Sequence, residues 1–312
     1  MGSIEFKSAS QIRHQNTLVC IDGSYVIYTA IYSTVKDWIA ESPYADCLDD
    51  VDVTDDNYEK VDLTAYPDFI DMLKGKLITF LTKIGNMVKD FNDVNCSETY
   101  GDMLFVLDPE HGIESRSWRY KIYPEYKGQR KADRDKKPYH VTRIFTKAVE
   151  LLREDGRMEQ KFGIRVVSAD NAEADDIIAT LFTDEENNQF YKFLVASDRD
   201  YLQLGDVTQM NLMEKQVVIE QPYPDEITVT PETYLLAKII TGDTSDNITQ
   251  VFNRVGYKTA IKKYIANLDF LNESLERDPI AMEKFNLNTK LIDFAHIPKR
   301  IRAAARNAVA RG

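Results

Sequence analysis

No apolar run in the 312 residues approaches the roughly 20 that a membrane-spanning helix needs. The opening MGSIEFKSASQIRHQ also lacks the apolar core of a secretory signal, so the expectation is a cytoplasmic protein with no membrane partner. Cysteine is scarce: Cys20, Cys47 and Cys96 are odd in number and show no CxxC spacing, which excludes a disulfide framework. The four histidines, His14, His111, His140 and His296, lie far apart, so no zinc site is suggested either. Positive charge is in deficit as well. A formal net charge of −12 argues at first against a nucleic-acid partner, because phosphate binding needs Lys and Arg.

The distribution of charge reverses that impression. Between Glu41 and Asp71 eleven acids face the single Lys60, whereas between Glu114 and Lys147 eleven bases face four acids, a local balance of +7. The charges are sorted by segment. The acidic stretch of about 41–68 contains two prolines and little periodicity and reads as a solvated loop.

Four short apolar runs read as buried parallel strands: Thr17 to Ile21, Met103 to Leu107, Ile164 to Val167 and Phe193 to Ala196. Between the first two, Phe69, Leu73, Leu77, Phe80, Ile84, Met87, Val88 and Phe91 recur at helical steps, giving a face that can cover a sheet. Another helix is expected after Asn171. The fold class is therefore α/β, with a largely parallel central sheet and helices on both faces. A loose boundary near Gly205 separates a first domain, 1–205, from a mainly helical second part, 206–312, in which Met210 to Gln221 is expected to form a hairpin.

Ligands of such sheets lie outside the carboxyl ends of the strands, and that is where acids recur. Asp22, Asp108, Asp170 and Asp198 fall at one rim. Glu173, Asp175 and Asp176 stand in NAEADD, Asp200 in ASDRD, and Asp243 and Asp246 in GDTSDN. A lone Asp after a strand is as readily a helix cap. Leaving Asp170 aside, nine carboxylates gathered together would instead repel strongly unless divalent cations sit among them. All-oxygen donors suit Mg²⁺ or Mn²⁺, and two such ions serve phosphodiester hydrolysis.

The ordered blocks LVCID, LFVLD, PEYKGQR, NAEADDIIATL, VASDRDYLQL and GDTSDNI, from about Asp22 to Ala260, resemble the 5′-nuclease superfamily of flap endonucleases and 5′-exonucleases. LIDFAHIPKRI is similar to a stretch of the T-even phage ribonuclease H type. The resemblance implies a PIN-like fold with a mobile helical arch at about 110–150 and a helix-turn-helix-like DNA-binding element. It implies Asp22, Asp108 and Glu173 as ligands of a first Mg²⁺, Asp175 as the shared acid, and Asp198, Asp200 and Asp246 as ligands of a second. Mn²⁺ is able to substitute, and Asp176 and Asp243 act as supporting acids. Lys127 and Arg130 correspond to the basic pair above the scissile phosphate. Tyr28 and Tyr126 are candidates for stacking on a base. Arg116, Arg119, Lys121, Lys131, Arg134, Lys136, Lys137 and Lys258 complete the expected DNA contacts.

The middle of the helix-turn-helix element, TQVFNRV, lacks the glycines and prolines that bring backbone close to phosphate, which leaves K⁺ binding and duplex grip open. The implied activity is metal-dependent cleavage at 5′ ends or flaps of DNA, with RNA in RNA/DNA hybrids as a further substrate, as in primer removal during phage replication. The site would then be the host cytoplasm, and a sliding clamp or single-strand-binding protein a partner. Two other readings stand beside it. A catalytically inactive DNA-binding replication protein should have lost metal acids, and none of the blocks has. A PIN-type ribonuclease is usually shorter and lacks the basic arch.

Overall fold

The structure, a computed structural model, describes residues 15–48, 59–109 and 117–310. Arg116 lies outside the described residues, as does the side chain of Lys131. In chain order the main elements are β1 (Thr17–Asp22), α1 (Gly23–Glu41), α2 (Pro67–Asn95), β2 (Met103–Val106), α3 (Trp118–Ile122), α4 (Gly128–Asp135), α5 (Val141–Arg153), α6 (Arg157–Phe162), β3 (Ile164–Val167), α7 (Ala174–Thr183), β4 (Tyr191–Val195) and β5 (Thr208–Met210). Then come α8 (Pro231–Thr241), α9 (Tyr257–Ala260, running into a π-helical turn), α10 (Leu268–Arg277), α11 (Pro279–Ile292) and α12 (Lys299–Ala310). No helix among the described residues is long and apolar enough to cross a membrane.

All strands pair in parallel, in the order β3-β2-β1-β4-β5. The period-two rule sorts their side chains. Val19, Ile21, Phe105 and Val195 join Trp38, Phe69, Leu73 and Ile144 of α1, α2 and α5 on one face. Cys20, Leu104, Val106 and Leu194 join Ile177, Ile178, Ile301 and Ala305 of α7 and α12 on the other. A third cluster, with Tyr234, Ile240, Ile261 and Leu275, forms the core of the helical part.

Two features differ from the sequence reading. The expected hairpin at Met210 to Gln221 is formed only at its turn: Thr208–Met210 adds to the sheet edge as a fifth parallel strand, and the chain returns through one antiparallel bridge, Met210 to Gln216, flanked by bonds from Asn211 N–H to the Lys215 carbonyl and from Val217 N–H to the Gln209 carbonyl. Asn211 shapes the turn, its side chain accepting from the N–H groups of Met213 and Lys215. In addition, β5 and α12 come from beyond Gly205 yet complete the sheet and its second layer.

The strand order reverses between β1 and β4, a topological switch point, which leaves a crevice above their carboxyl ends. Gly23 seats α1 directly there. A Cβ at that position would lie 2.5 Å from the Phe105 ring, so only glycine allows the helix to start pressed against β2.

Candidate metal centre and nucleic-acid cleft

A cleft of about 430 Å³ opens at that crevice, and its walls carry opposite charge. Asp22, Asp108, Glu173, Asp175 and Asp198 line the floor, and Lys127, Arg130, Arg134 and Lys137 stand opposite them on and around α4. Tyr25, Tyr28 and Tyr32 of α1 line the cleft as well. They lie three and four residues apart and therefore share one helical face. Tyr28 and Tyr32 stack with centroids 6.3 Å apart, and Lys137 Nζ sits 5.9 Å over the Tyr32 ring.

Three of the acids on the floor, Asp22, Asp108 and Asp198, are held by backbone N–H groups. Asp22 caps α1, accepting from Tyr25 N–H at 3.0 Å. Asp108 accepts from Ala174 N–H at 3.0 Å and from the Ser24 hydroxyl at 3.1 Å, joining the end of β2 to the starts of α1 and α7. Asp198 accepts from Asp200 N–H at 2.9 Å. Burial pushes the Asp22 carboxyl up to about 7: the Tyr25 N–H opposes this, while the charges of Asp108 and Asp198 reinforce it. Burial also drives Asp175 well above the usual carboxylate range, and its Oδ1 is buried without a hydrogen-bond partner. Glu173 behaves differently. Burial alone would raise it, but Lys127 and Arg119 outweigh that and hold it low.

The other expected acids stand just behind this floor, each engaged by a partner of its own. Asp200 and Asp243 share Lys238, a residue the sequence reading missed because nothing local marks it as the partner of an acid more than thirty residues upstream. Burial, with the charge of Asp198, still pushes Asp200 up to about 7. Asp246 pairs with Arg130 and accepts from the Tyr126 hydroxyl at 3.0 Å. Asp176 is fully buried, accepting from Trp118 Nε1 and from Glu173 N–H, both at 3.0 Å. Asp170 is exposed and does not line the cleft.

Two expected DNA contacts are corrected. Arg119 is 2% exposed, with Nη1 at 2.8 Å from Glu173, 2.9 Å from Asp176 and 3.6 Å from Asp175, and Nε donating to the Leu291 carbonyl. It is an internal counter-ion, because three crowded acids out of water need a fixed positive partner. The oxygens of Glu173, Asp175 and Asp176 lie within 4.8 Å of one another, but the guanidinium already occupies part of that triad. Tyr126 is 1% exposed, its hydroxyl proton shared between Asp246 at 3.0 Å and Glu173 at 3.2 Å, so its ring offers no face to a base. Of the remaining expected contacts, Lys121, Lys136 and Lys258 are exposed away from the cleft lining, Lys136 lying 3.4 Å from Asp133.

Of the cations lining the cleft, Lys127 reaches deepest into the floor: it is 9% exposed, with Nζ 3.3 Å from Glu173 Oε1 and 5.0 Å from the Tyr126 ring centroid. Its backbone adopts φ +54° as it caps α4, and its N–H donates to the Asp246 carbonyl. The turn carrying Asp246 begins at Gly242, where a Cβ would lie 2.4 Å from the Ile248 carbonyl oxygen.

The family model described as 5′-3′ exonuclease, N-terminal resolvase-like domain, matches residues 17–229. The chain belongs to this 5′-3′ exonuclease family. The match takes in β1 to β5 and all five acids on the cleft floor. Among curated relatives, DNA polymerase I of Mycobacterium bovis is 32% identical over 156 residues, which are 48% of this chain and 16% of the polymerase. DNA polymerase I of Streptococcus pneumoniae serotype 4 is 29% identical over 218 residues, 64% of this chain and 24% of the polymerase. The chain thus corresponds to less than a quarter of the length of these relatives.

Among solved structures, the bacteriophage T5 D15 protein co-crystallised with metal ions superposes with a TM-score of 0.57 at 15% identity, covering 95% of this chain and 99% of that one. The T5 D15 flap endonuclease in a pseudo-enzyme–product complex with DNA and metal ions gives 0.56 at 15%, covering 95% and 98%. At that identity the likeness shows a shared fold.

The acids of this 5′-3′ exonuclease family member's cleft floor fit divalent cations, since their donors are all oxygen and Asp175 Oδ1 is buried without a hydrogen bond. One consequence is measurable by thermal unfolding. In the metal-free chain Asp22 and Asp200 keep their protons to about pH 7, whereas in the unfolded chain they release them near about pH 4. The folded state therefore binds more protons in that window, and stability is expected to fall as pH rises from about 4 to 7. Added Mg²⁺ should raise the melting temperature more at pH 8 than at pH 5. Equal shifts at both pH values would contradict the assignment of these acids.

Proposed function

We propose that this chain is a divalent-metal-dependent 5′-nuclease that hydrolyses phosphodiester bonds at 5′ ends or flaps of DNA, and of RNA paired with DNA, as primer removal in phage-type replication requires. The observation that carries the reading is the cleft in which Asp22, Asp108, Glu173, Asp175 and Asp198 face Lys127, Arg130, Arg134 and Lys137. Two Mg²⁺ or Mn²⁺ ions held on the acidic floor would supply an activated water and neutralise charge on the phosphate.

The chain's own residues do the rest. Lys127 and Arg130 would meet a phosphate over the floor; the charge of Lys127, largely out of water, is little screened, while that of Arg130, with its side chain 41% exposed, is screened more. Arg134 and Lys137, farther along the same segment, attract the backbone electrostatically. The rings of Tyr28 and Tyr32 offer stacking surface to unpaired bases. The Streptococcus and Mycobacterium relatives are DNA polymerases by name, and the T5 neighbour is named a flap endonuclease bound to DNA, which agrees with this substrate class.

The decisive assay offers 5′-labelled DNA flap, RNA/DNA hybrid and single-stranded RNA side by side, with Mg²⁺ and with chelator. Cleavage of the flap with Mg²⁺ and none with chelator is expected. Cleavage of the single-stranded RNA alone would replace this reading with that of a PIN-type ribonuclease. The roles within the cleft separate on salt. Lys127→Ala is expected to slow single turnover by about 10²-fold with little change in affinity, as for the loss of one transition-state donor. Neutralising Arg134 and Lys137 is expected to weaken binding and flatten its salt dependence by about one counterion per contact. If Lys127→Ala loses only affinity, restored at low salt, its place is among the steering residues.

A further inference from the structure

Lys127 and Arg130 sit on a short basic segment whose backbone is fixed by the GDTSDN turn, which packs directly against it and does not line the cleft. We propose that Asn247 is the positioning residue that latches the base of the arch onto that turn, so that Lys127 and Arg130 stay in register when a phosphate displaces their acidic partners. The effect on rate rests on the nuclease reading above; the latch itself does not.

The geometry is specific. The Asn247 amide donates to the Glu125 carbonyl at 2.9 Å, its Oδ1 accepts from Gln129 Nε2 at 3.3 Å, and its own carbonyl accepts from the Tyr123 hydroxyl at 3.1 Å. One residue thus holds the segment just before Lys127 and the first turn of α4 just after it. The carboxylate contacts of the two cations run through charge, Arg130 pairing with Asp246 and Lys127 with Glu173, while the Lys127 N–H donates to the Asp246 carbonyl and Arg130 Nε to the Ser245 carbonyl on the same turn. Those pairs are exchangeable, since an arriving phosphate is itself an anion that both cations can take. The Asn247 bonds are neutral and directional, and they have no reason to break when phosphate arrives. With the bonds to the Asp246 and Ser245 carbonyls they hold the two cations in place during the reaction, and Asn247 ties the turn to both sides of Lys127.

Backbone conformation allows a clean test. Asn247 has φ +61°, a region that glycine enters freely and most other residues do not. Asn247→Gly keeps the turn and the carbonyl that Tyr123 binds while deleting both side-chain bonds. Asn247→Asp keeps the acceptor for Gln129 and loses the donor to Glu125. Gln129→Ala removes one bond from the other side without touching the turn.

Amide exchange of the DNA-free protein should quicken at residues 126–130 by about tenfold or more in Asn247→Gly, by less in Gln129→Ala, and not in β1 or β4. Single-turnover cleavage of flap DNA should fall by about tenfold in Asn247→Gly, with affinity changed by less than about threefold, because positioning rather than attraction is lost. Asn247→Asp should lie between the wild type and Asn247→Gly in both readouts. Unchanged exchange at 126–130 in Asn247→Gly overturns the latch whatever the activity. Faster exchange in Asn247→Gly, together with a wild-type protein that cleaves no flap, would leave the latch standing and overturn the nuclease reading instead.

Discussion

Asp175→Asn and Asp198→Asn are each expected to abolish metal-dependent cleavage, lowering the rate by at least about 10³-fold, because metal-held charge stabilisation contributes several kcal/mol and each 1.4 kcal/mol is a decade. The two positions fail for different reasons. Asp175 is driven far above the usual carboxylate range by burial, and its Oδ1 has no hydrogen-bond partner. An amide there removes the charge a cation would meet and brings a donor into a pocket of acids. Asp198 lies exposed on the opposite side of the floor, beyond the end of β4, where its other role is to cap the next turn through Asp200 N–H. Asparagine can still cap that turn, so the loss should be purely of charge.

Binding of flap DNA to either variant should be unchanged or tighter, since one negative charge facing phosphate has gone. Single-turnover rates in Mg²⁺ beside equilibrium binding in Ca²⁺ read both effects. Cleavage by Asp175→Asn within tenfold of the wild type would remove Asp175 from the metal site.

Arg119→Met is expected to lower the unfolding free energy by about 3–5 kcal/mol, the magnitude for removing one partner of a buried ionic cluster. Its guanidinium touches Glu173 and Asp176, which are 1% and 0% exposed, so neither acid can recover water when it goes. The bond from its Nε to the Leu291 carbonyl also ties α3 to α11, and the variant loses that link too. Arg119→Lys should recover only part of the loss, because an ammonium cannot reproduce the planar fork that meets two acids and a carbonyl together. Denaturant unfolding in chelator checks both. A loss under about 1 kcal/mol, typical of exposed pairs, together with a reduced salt slope of DNA binding, would restore Arg119 to the DNA-contact role expected from the basic segment.

Those two predictions concern residues that the sequence made legible to different degrees. Acids at strand ends were legible one by one: a parallel sheet brings the residue that ends each strand to a common rim, so Asp22, Asp108 and Asp198 converge by topology alone. The NAEADD block was legible as costly unless compensated. The compensating group was not, since Arg119 reads as one more base in a segment of local charge +7. Nothing near it in sequence shows that Leu291 of α11 closes over it. Tyr126 was misread for the same reason, an aromatic beside two cations being equally suited to a base and to a buried hydroxyl bridge. The stripe of Tyr25, Tyr28 and Tyr32 was available in the spacing and was only partly used.

The amino-acid sequence by itself determined the α/β class, the position of four strands to within about two residues, and the acids and bases that could meet, because hydrophobic period and strand-end polarity are local properties of the chain. The tertiary structure alone decided which of the nine acids face the cleft and which are occupied by Arg119, Arg130 and Lys238. It also decided that β5 joins the sheet as a parallel edge strand, with only a short antiparallel return after it. Those outcomes depend on burial and on partners tens to more than a hundred residues away. The desolvation that makes a charge need a partner comes into being only when the layers close.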